Sequence, residues 1–285
     1  SVSRGHIMCP NHNSHLKTLG PQSVRLVSTL YEENKPVFRL EDVRRILNLQ
    51  ELPASSFVRQ LVNRGVATRL KPGLFILVPQ ELGREREYMG SPLIVARELA
   101  RGKGYYLSHG TAMELHGMVT QPQLVVHVTT MKKRRPVHIM GTDFQFITCK
   151  KEHFFGISEH WVTKQEKVMV SDMEKTVIDG LRQPEYCGGI TETAKGVWMH
   201  RQNLNADRLI EYAIKMDIGA VTRRLGYILE LYGLGSTEKR EHLRDHLTDT
   251  YAKLDPLLPP EGKFIRKWRL HLNVSPDELL SVVKT

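Results

Sequence analysis

Asp172, Glu174, Lys175 and Asp179 lie within one short stretch, and carboxylates grouped with a lysine are the equipment of a metal-dependent nuclease. Their spacing points elsewhere. Ser171-Asp172-Met173-Glu174 is an S-x-x-E capping box, in which Ser171 caps a helix and Glu174 reaches back. Met173, Val177, Ile178 and Leu181 then form the buried stripe of that helix. A nuclease dyad would also need a carboxylate and a lysine on a neighbouring strand, and the pattern offers no clear pair. Ser275-Pro276-Asp277-Glu278 repeats the capping signature, with proline at the first helical position. His109 and His116, with Glu114 between them, lack the H-E-x-x-H spacing and read as hydrogen-bonding histidines. Ser108-His109 is no triad, because the G-x-S-x-G elbow is absent. Cys187-Gly188-Gly189 has neither the spacing nor the lysine of a P-loop and reads as a turn. Cys9, His12 and His15 are three candidate ligands in a polar tail, too few for a structural zinc site. The expectation is a protein without a catalytic set, a metal or a cofactor.

The other chemistry on offer is electrostatic. The 285-residue chain carries 41 Lys and Arg against 31 Asp and Glu, a net charge of +10, and such an excess favours a polyanionic partner through counterion release. Two places concentrate it. One is the run Lys132-Lys133-Arg134-Arg135, a possible second nucleic-acid contact that would sit in a hairpin turn and could also be merely solvated. The other is residues 21–84, with ten Lys and Arg against six Asp and Glu, an excess of four. There Ser55, Ser56, Arg59, Gln60 and Asn63 are what a helix over about 54–64 leaves outward once Phe57, Val58, Leu61 and Val62 turn inward. These types reach base edges and phosphates. Arg69 and Lys71 flank a Lys71-Pro72-Gly73 turn, where a hairpin tip would touch a nucleic-acid backbone.

The elements that must position these residues follow from the apolar periodicity. Residues 1–20 are polar and aperiodic, a flexible tail. From Gln22, Val24, Val27, Leu30 and Tyr31 mark a helix that Asn34-Lys35-Pro36 stops. Val37–Arg39 is extended. A second helix follows, with Glu41 and Asp42 at its start and Val43, Ile46 and Leu47 inward. A break at Leu52-Pro53 precedes the third helix, Gly65 ends it, and Val66–Leu70 with Leu74–Val78 make a hairpin. Helix, strand, helix, helix, hairpin is the order of a winged helix-turn-helix, expected over 21–84. A charged linker, Gly83–Tyr88, leads to a larger mixed domain at 85–285. That domain should be strand-rich over 124–170, with strands at 124–129, 137–140 and 144–148, and helical from 171. The whole is expected to be α+β.

Hydrophobic content of 40% and charged content of 25% are those of a globular protein. Cys9, Cys149 and Cys187 form no C-x-x-C pair, and reduced thiols in a cytosol are the simplest account. The longest apolar run, Leu74–Val78, is far too short to span a bilayer, and no secretory signal pattern opens the chain. A cytoplasmic protein is expected.

The chain resembles the AbiEi-type antitoxins of type IV toxin–antitoxin systems. The likeness rests on Phe57–Val66 and Leu74–Val78, on Tyr106-Leu107-Ser108-His109-Gly110-Thr111-Ala112 with His116-Gly117, on Val170–Leu181, and on Arg223-Arg224-Leu225-Gly226-Tyr227. The resemblance implies that the winged helix represses its own operon and that the C-terminal domain supplies antitoxicity. It further implies a functional partner, a nucleotidyltransferase-like toxin, opposed without a stable complex. Two other readings stay open: a nucleic-acid-processing enzyme with a nuclease-like core over 90–180, and a winged-helix transcription factor that senses a ligand.

Overall fold

A computed structural model describes residues 19–281 apart from 84, 86 and 120. The chain is mixed α+β and divides into two compact units between Gly90 and Ser91. Residues Cys9, His12 and His15 lie outside the described residues.

The first unit runs α1 (Pro21–Glu32), β1 (Val37–Arg39), α2 (Leu40–Leu47), α3 (Glu51–Asn63), β2 (Ala67–Lys71) and β3 (Leu74–Leu77). The strands form one antiparallel sheet in the order β1-β3-β2, with Val37 opposite Ile76 and Ala67 opposite Leu77. α1 opens on Pro21, whose missing N–H would have had no partner in a first turn. It buries Ser23, Leu26 and Leu30 and leaves Val24 and Tyr31 nearly half exposed. Of the expected stripe Val24, Val27, Leu30 and Tyr31, Leu30 is buried and Val27 half-buried, while Val24 and Tyr31 face outward and Leu26 completes the inward face. α2 is held at its start by Asp42, which accepts the Arg39 N–H at 2.8 Å and pairs with Lys35 Nζ at 2.5 Å. α3 begins at Glu51, not after Pro53. Pro53 sits in the first turn, where backbone N–H groups have no intrahelical acceptor, so it interrupts nothing. Phe38 stacks on Phe75 at 5.7 Å, and Leu26, Leu30, Val43, Val58 and Leu61 close the core around it. The tail of this unit packs onto it: the Tyr88 N–H donates to Thr68 Oγ1.

The second unit has α4 (Pro92–Leu99), β4 (Tyr105–Leu107), α5 (His109–Leu115), β5 (Val125–Thr130), β6 (Val137–Ile139), β7 (Thr142–Thr148), β8 (Ile157–Trp161) and β9 (Lys167–Ser171). Its six-stranded sheet has the order β6-β7-β5-β4-β9-β8, with β5–β7 and β4–β9 parallel and the other pairs antiparallel. The segment from β5 to β6 therefore crosses over β7. Residues 132–135 are not a hairpin turn, contrary to the expectation, because β5 and β6 are not paired. Helices α6 (Met173–Arg182), α7 (Ile190–Met199), α8 (Ala206–Met216), α9 (Gly219–Leu231) and α10 (Thr237–Arg244) follow. The region from 171 is not all helical. Before α11 (Pro276–Leu280), β10 (Ala252–Lys253), β11 (Lys263–Ile265) and β12 (Leu270–Leu272) form a second sheet in the order β10-β12-β11. Strands of two or three residues are too short to show an alternating pattern.

The helical core centres on Trp268, which is 1% exposed and lies on α9 where a Cβ at Gly226 would stand. Any side chain at 226 would evict the indole, which accounts for glycine inside that helix. The indole N–H is tied to Glu230 at 2.5 Å.

Candidate nucleic-acid interface

α3 is sorted cleanly into two faces. Ala54, Val58 and Leu61 are buried, while Ser55, Ser56, Arg59, Gln60 and Asn63 are all exposed, so the five polar residues expected to face outward do so together. Leu52, 83% exposed at the start of the same helix, adds an apolar member that periodicity alone assigns to a break. Arg59 and Arg69 take part in no ion pair among the described residues, whereas Arg45 is clamped by both Glu33 oxygens at 2.7 and 2.6 Å. The cations that remain uncommitted thus include one on α3 and one on the hairpin. Arg69 is exposed opposite Phe75, Lys71 is half-buried opposite Leu74, and a register shift between them breaks the regular alternation of β2.

The basic run of the second unit is less uniform than it reads. Lys132, Lys133 and Arg135 are exposed. Arg134 is half-buried, and its guanidinium donates to the carbonyls of Leu99 and Ala100 at 3.0 and 3.4 Å. It satisfies carbonyls at the end of α4, where a cation also meets the negative end of the helix dipole. Three charges, not four, face solvent.

The enzyme-like residues hold separate structural posts. Ser171 is not the cap of α6. It lies on β9, fully buried, with its hydroxyl bonded to Thr176 Oγ1 at 2.8 Å. The cap is Asp172, which accepts the Lys175 N–H at 2.7 Å and the Tyr212 hydroxyl at 2.8 Å. Glu174 does not reach back but accepts the Asn205 N–H and meets Arg208. Lys175 and Asp179 form a fully buried ion pair, and the Tyr106 hydroxyl joins both, accepting from Lys175 at 3.0 Å and donating to Asp179 at 3.1 Å. Burial beside the Asp179 charge drives the Tyr106 phenol well above its usual range.

His109 and His116 do not converge. The His116 Nε2–H donates to the Ser171 carbonyl at 2.7 Å, while His109 turns inward at φ +50°. His109 Nδ1 is bonded to Ser108 Oγ at 2.9 Å, and that oxygen to Thr129 Oγ1 at 2.7 Å. Tyr186 packs against His109 and His127 at 5.4 and 5.7 Å. Burial holds His109 down to about 3 and His127 down to about 4, so both rings are neutral at pH 7. Sequence gives no signal for His127 and Tyr186, since the strand and turn that carry them show no motif. Among the described residues no group of three or more His, Cys, Asp or Glu is placed to hold a metal ion. Cys149 and Cys187 are buried free thiols, and Gly188 and Gly189 form a turn at φ +81° and +100°.

The fold places the protein in a two-unit α+β class that is already known in a solved structure. The RV2827C protein from Mycobacterium tuberculosis superposes with a TM-score of 0.67 at 15% identity, over 94% of this chain and 96% of that one. At that identity the likeness is one of fold alone. No protein-family model matches the chain, and no curated protein matches it. No described helix is long and apolar enough to cross a membrane.

Proposed function

We propose that this protein is the antitoxin of a type IV toxin–antitoxin system, acting in the cytoplasm and repressing its own operon through an N-terminal winged helix-turn-helix. The single observation that carries the DNA-binding half is the outward face of α3, where Ser55, Ser56, Arg59, Gln60 and Asn63 stand exposed together. In this reading α3 is the recognition helix and lies in the major groove. Arg59 pairs with guanine O6 and N7, Gln60 or Asn63 with adenine, and Leu52 offers an apolar contact to a thymine methyl. Ser55 and Ser56 meet phosphate oxygens near the helix start. The β2–β3 hairpin is the wing, with Arg69 and Lys71 on the backbone. Lys132, Lys133 and Arg135 are a secondary nucleic-acid contact, from which Arg134 is withdrawn by its bonds to α4.

The antitoxin half rests on the sequence resemblance, supported by a second unit with its own core and by the structural posts held by its enzyme-like residues. That unit counteracts a nucleotidyltransferase-like toxin without a stable complex, and without metal, cofactor or catalysis of its own. The test is to express the gene beside this one, alone and together with this protein. Growth arrest by the neighbour and its relief by this chain are expected. A neighbour that does not arrest growth, or arrest that this chain does not relieve, would remove the antitoxin reading and leave a DNA-binding regulator.

A further inference from the structure

β10, β12 and β11 are short, but their register sorts their residues onto two faces. Ala252, Leu270 and Ile265 stand opposite one another, and this row packs on the helical core around Trp268. The adjacent row, Lys253, His271 and Phe264, therefore turns the other way. Phe264 is 66% exposed and stacks on the His271 ring, with centroids 4.3 Å apart and planes 10° apart. Tyr251, 47% exposed just before β10, meets Phe264 at a steep angle with centroids 5.5 Å apart. Two exposed aromatic rings thus stand together, and one of them is steadied by a buried ring. Phe264 still offers most of its surface to solvent.

The charge around these rings is positive. Residues 251–272 hold five Lys and Arg against two Asp and Glu. One of the two acids, Asp255, is buried and accepts the N–H groups of Ile190 and Leu257. Of the cations, Lys267 and Arg269 are matched by Glu230 and Asp249. Lys263 and Arg266 are exposed and form no ion pair among the described residues. Lys253, in the same row as Phe264, donates to the carbonyls of Pro256 and Leu258 at 3.0 and 2.8 Å, which leaves its charge uncancelled. Exposed rings beside unmatched cations call for a partner with flat apolar faces and a negative backbone. A single-stranded nucleic acid supplies both, since every base has a π-face and every link a phosphate. A duplex keeps its bases stacked on one another, and an apolar peptide would cover the rings at the cost of desolvating cations that it does not pair.

We propose that the outer face of the β10-β12-β11 sheet is a stacking platform for single-stranded nucleic acid. One base lies on Phe264, a second on Tyr251, and Lys263 and Arg266 take the phosphates. This contact is additional to the duplex-reading face of α3.

Fluorescence anisotropy of the full chain with labelled oligothymidylate and oligouridylate of about 10 nucleotides tests the platform. Saturable binding is expected, and the tighter of the two assigns the strand as DNA or RNA. Phe264→Ala should weaken it about tenfold and leave affinity for a scrambled duplex unchanged. Phe264→Leu, which keeps apolar surface but has no π-face, should weaken it as much, whereas Phe264→Tyr should stay within about twofold of the unaltered chain. Arg266→Ala should reduce the slope of log K against log salt by about 0.7. Circular dichroism checks that each variant folds, and if Phe264→Ala does not, the leucine and tyrosine variants decide. Absence of saturable binding to either strand, or binding indifferent to Phe264→Ala and Phe264→Leu, overturns the proposal. Binding lost with alanine but kept with leucine overturns it equally, because the face would then be an apolar dock for a protein segment.

Discussion

Arg59 is an exposed cation with no internal partner among the described residues, on the helix face that carries Gln60 and Asn63. Arg59→Ala should cost about 1–3 kcal/mol on operator DNA and blunt discrimination at one base position. Gel shifts on operator and scrambled duplexes check it; equal losses on both would make Arg59 a phosphate contact. His109 and His127 lead to a different expectation. Both are neutral in the fold, with values held down to about 3 and about 4, whereas in the unfolded chain they protonate near pH 6.5. Between those limits the unfolded state binds more protons, so stability present at pH 7 is lost as pH falls below 6.5. Each ring should cost about 2 kcal/mol by pH 5, and His127→Gln should reduce the drop seen in urea unfolding by about that amount. A drop unchanged by the substitution would place the ring in solvent. At this scale the α3 set was legible because burying one face of a helix exposes the other. The role of Arg134 was not, because the carbonyls it caps lie 34 and 35 residues away in sequence.

Single elements are decided by their ends. The cap of α6 is Asp172, one residue beyond the Ser171 that the S-x-x-E spacing suggests, because Ser171 is consumed by β9 and its buried hydroxyl network. Capping-box spacing predicts a helix start well and its register less well, since it does not show where the preceding strand stops. Asp172→Ala should therefore destabilise by about 1–2 kcal/mol in chemical denaturation, while Asp172→Asn should be nearly neutral. A silent alanine would contradict the cap. The hairpin carries the other prediction at this scale. Replacing Arg69 and Lys71 together by alanine should weaken binding to all duplexes alike and reduce the slope of log K against log salt by about 0.9 for each phosphate left without its cation. An unchanged slope would mean that the tip faces away from DNA. The bulge between these residues and the half-burial of Lys71 were invisible to alternation, which assumes an unbroken strand.

The whole molecule is two compact units, each closing its own core, one around Phe38 and Leu61 and one around Trp268 and Leu225. The α+β class could be read from periodicity, and so could the order of elements up to β3. The mixed sheet could not, because its two parallel pairings join strands that are not neighbours in sequence, and neither could the short strands of residues 252–272. If the proposed division of labour holds, a fragment starting at Ser91 should fold, relieve toxicity and fail to bind the operator. A fragment ending at Gly90 should bind the operator and relieve nothing. Protection by the fragment ending at Gly90, in a co-expression assay, would make repression itself the antitoxic act.

The claim on which the rest depends is sequence-specific DNA binding, and its most direct measurement is a competition gel shift at physiological salt. The full-length protein is titrated onto the duplex upstream of its own gene, with a scrambled duplex of equal length as competitor. The expected result is an operator affinity at least about 10³-fold tighter than that for the scramble. Equal affinity for the two duplexes would show that the net charge of +10 attracts DNA without reading it, and would contradict the assignment of α3 as a recognition helix.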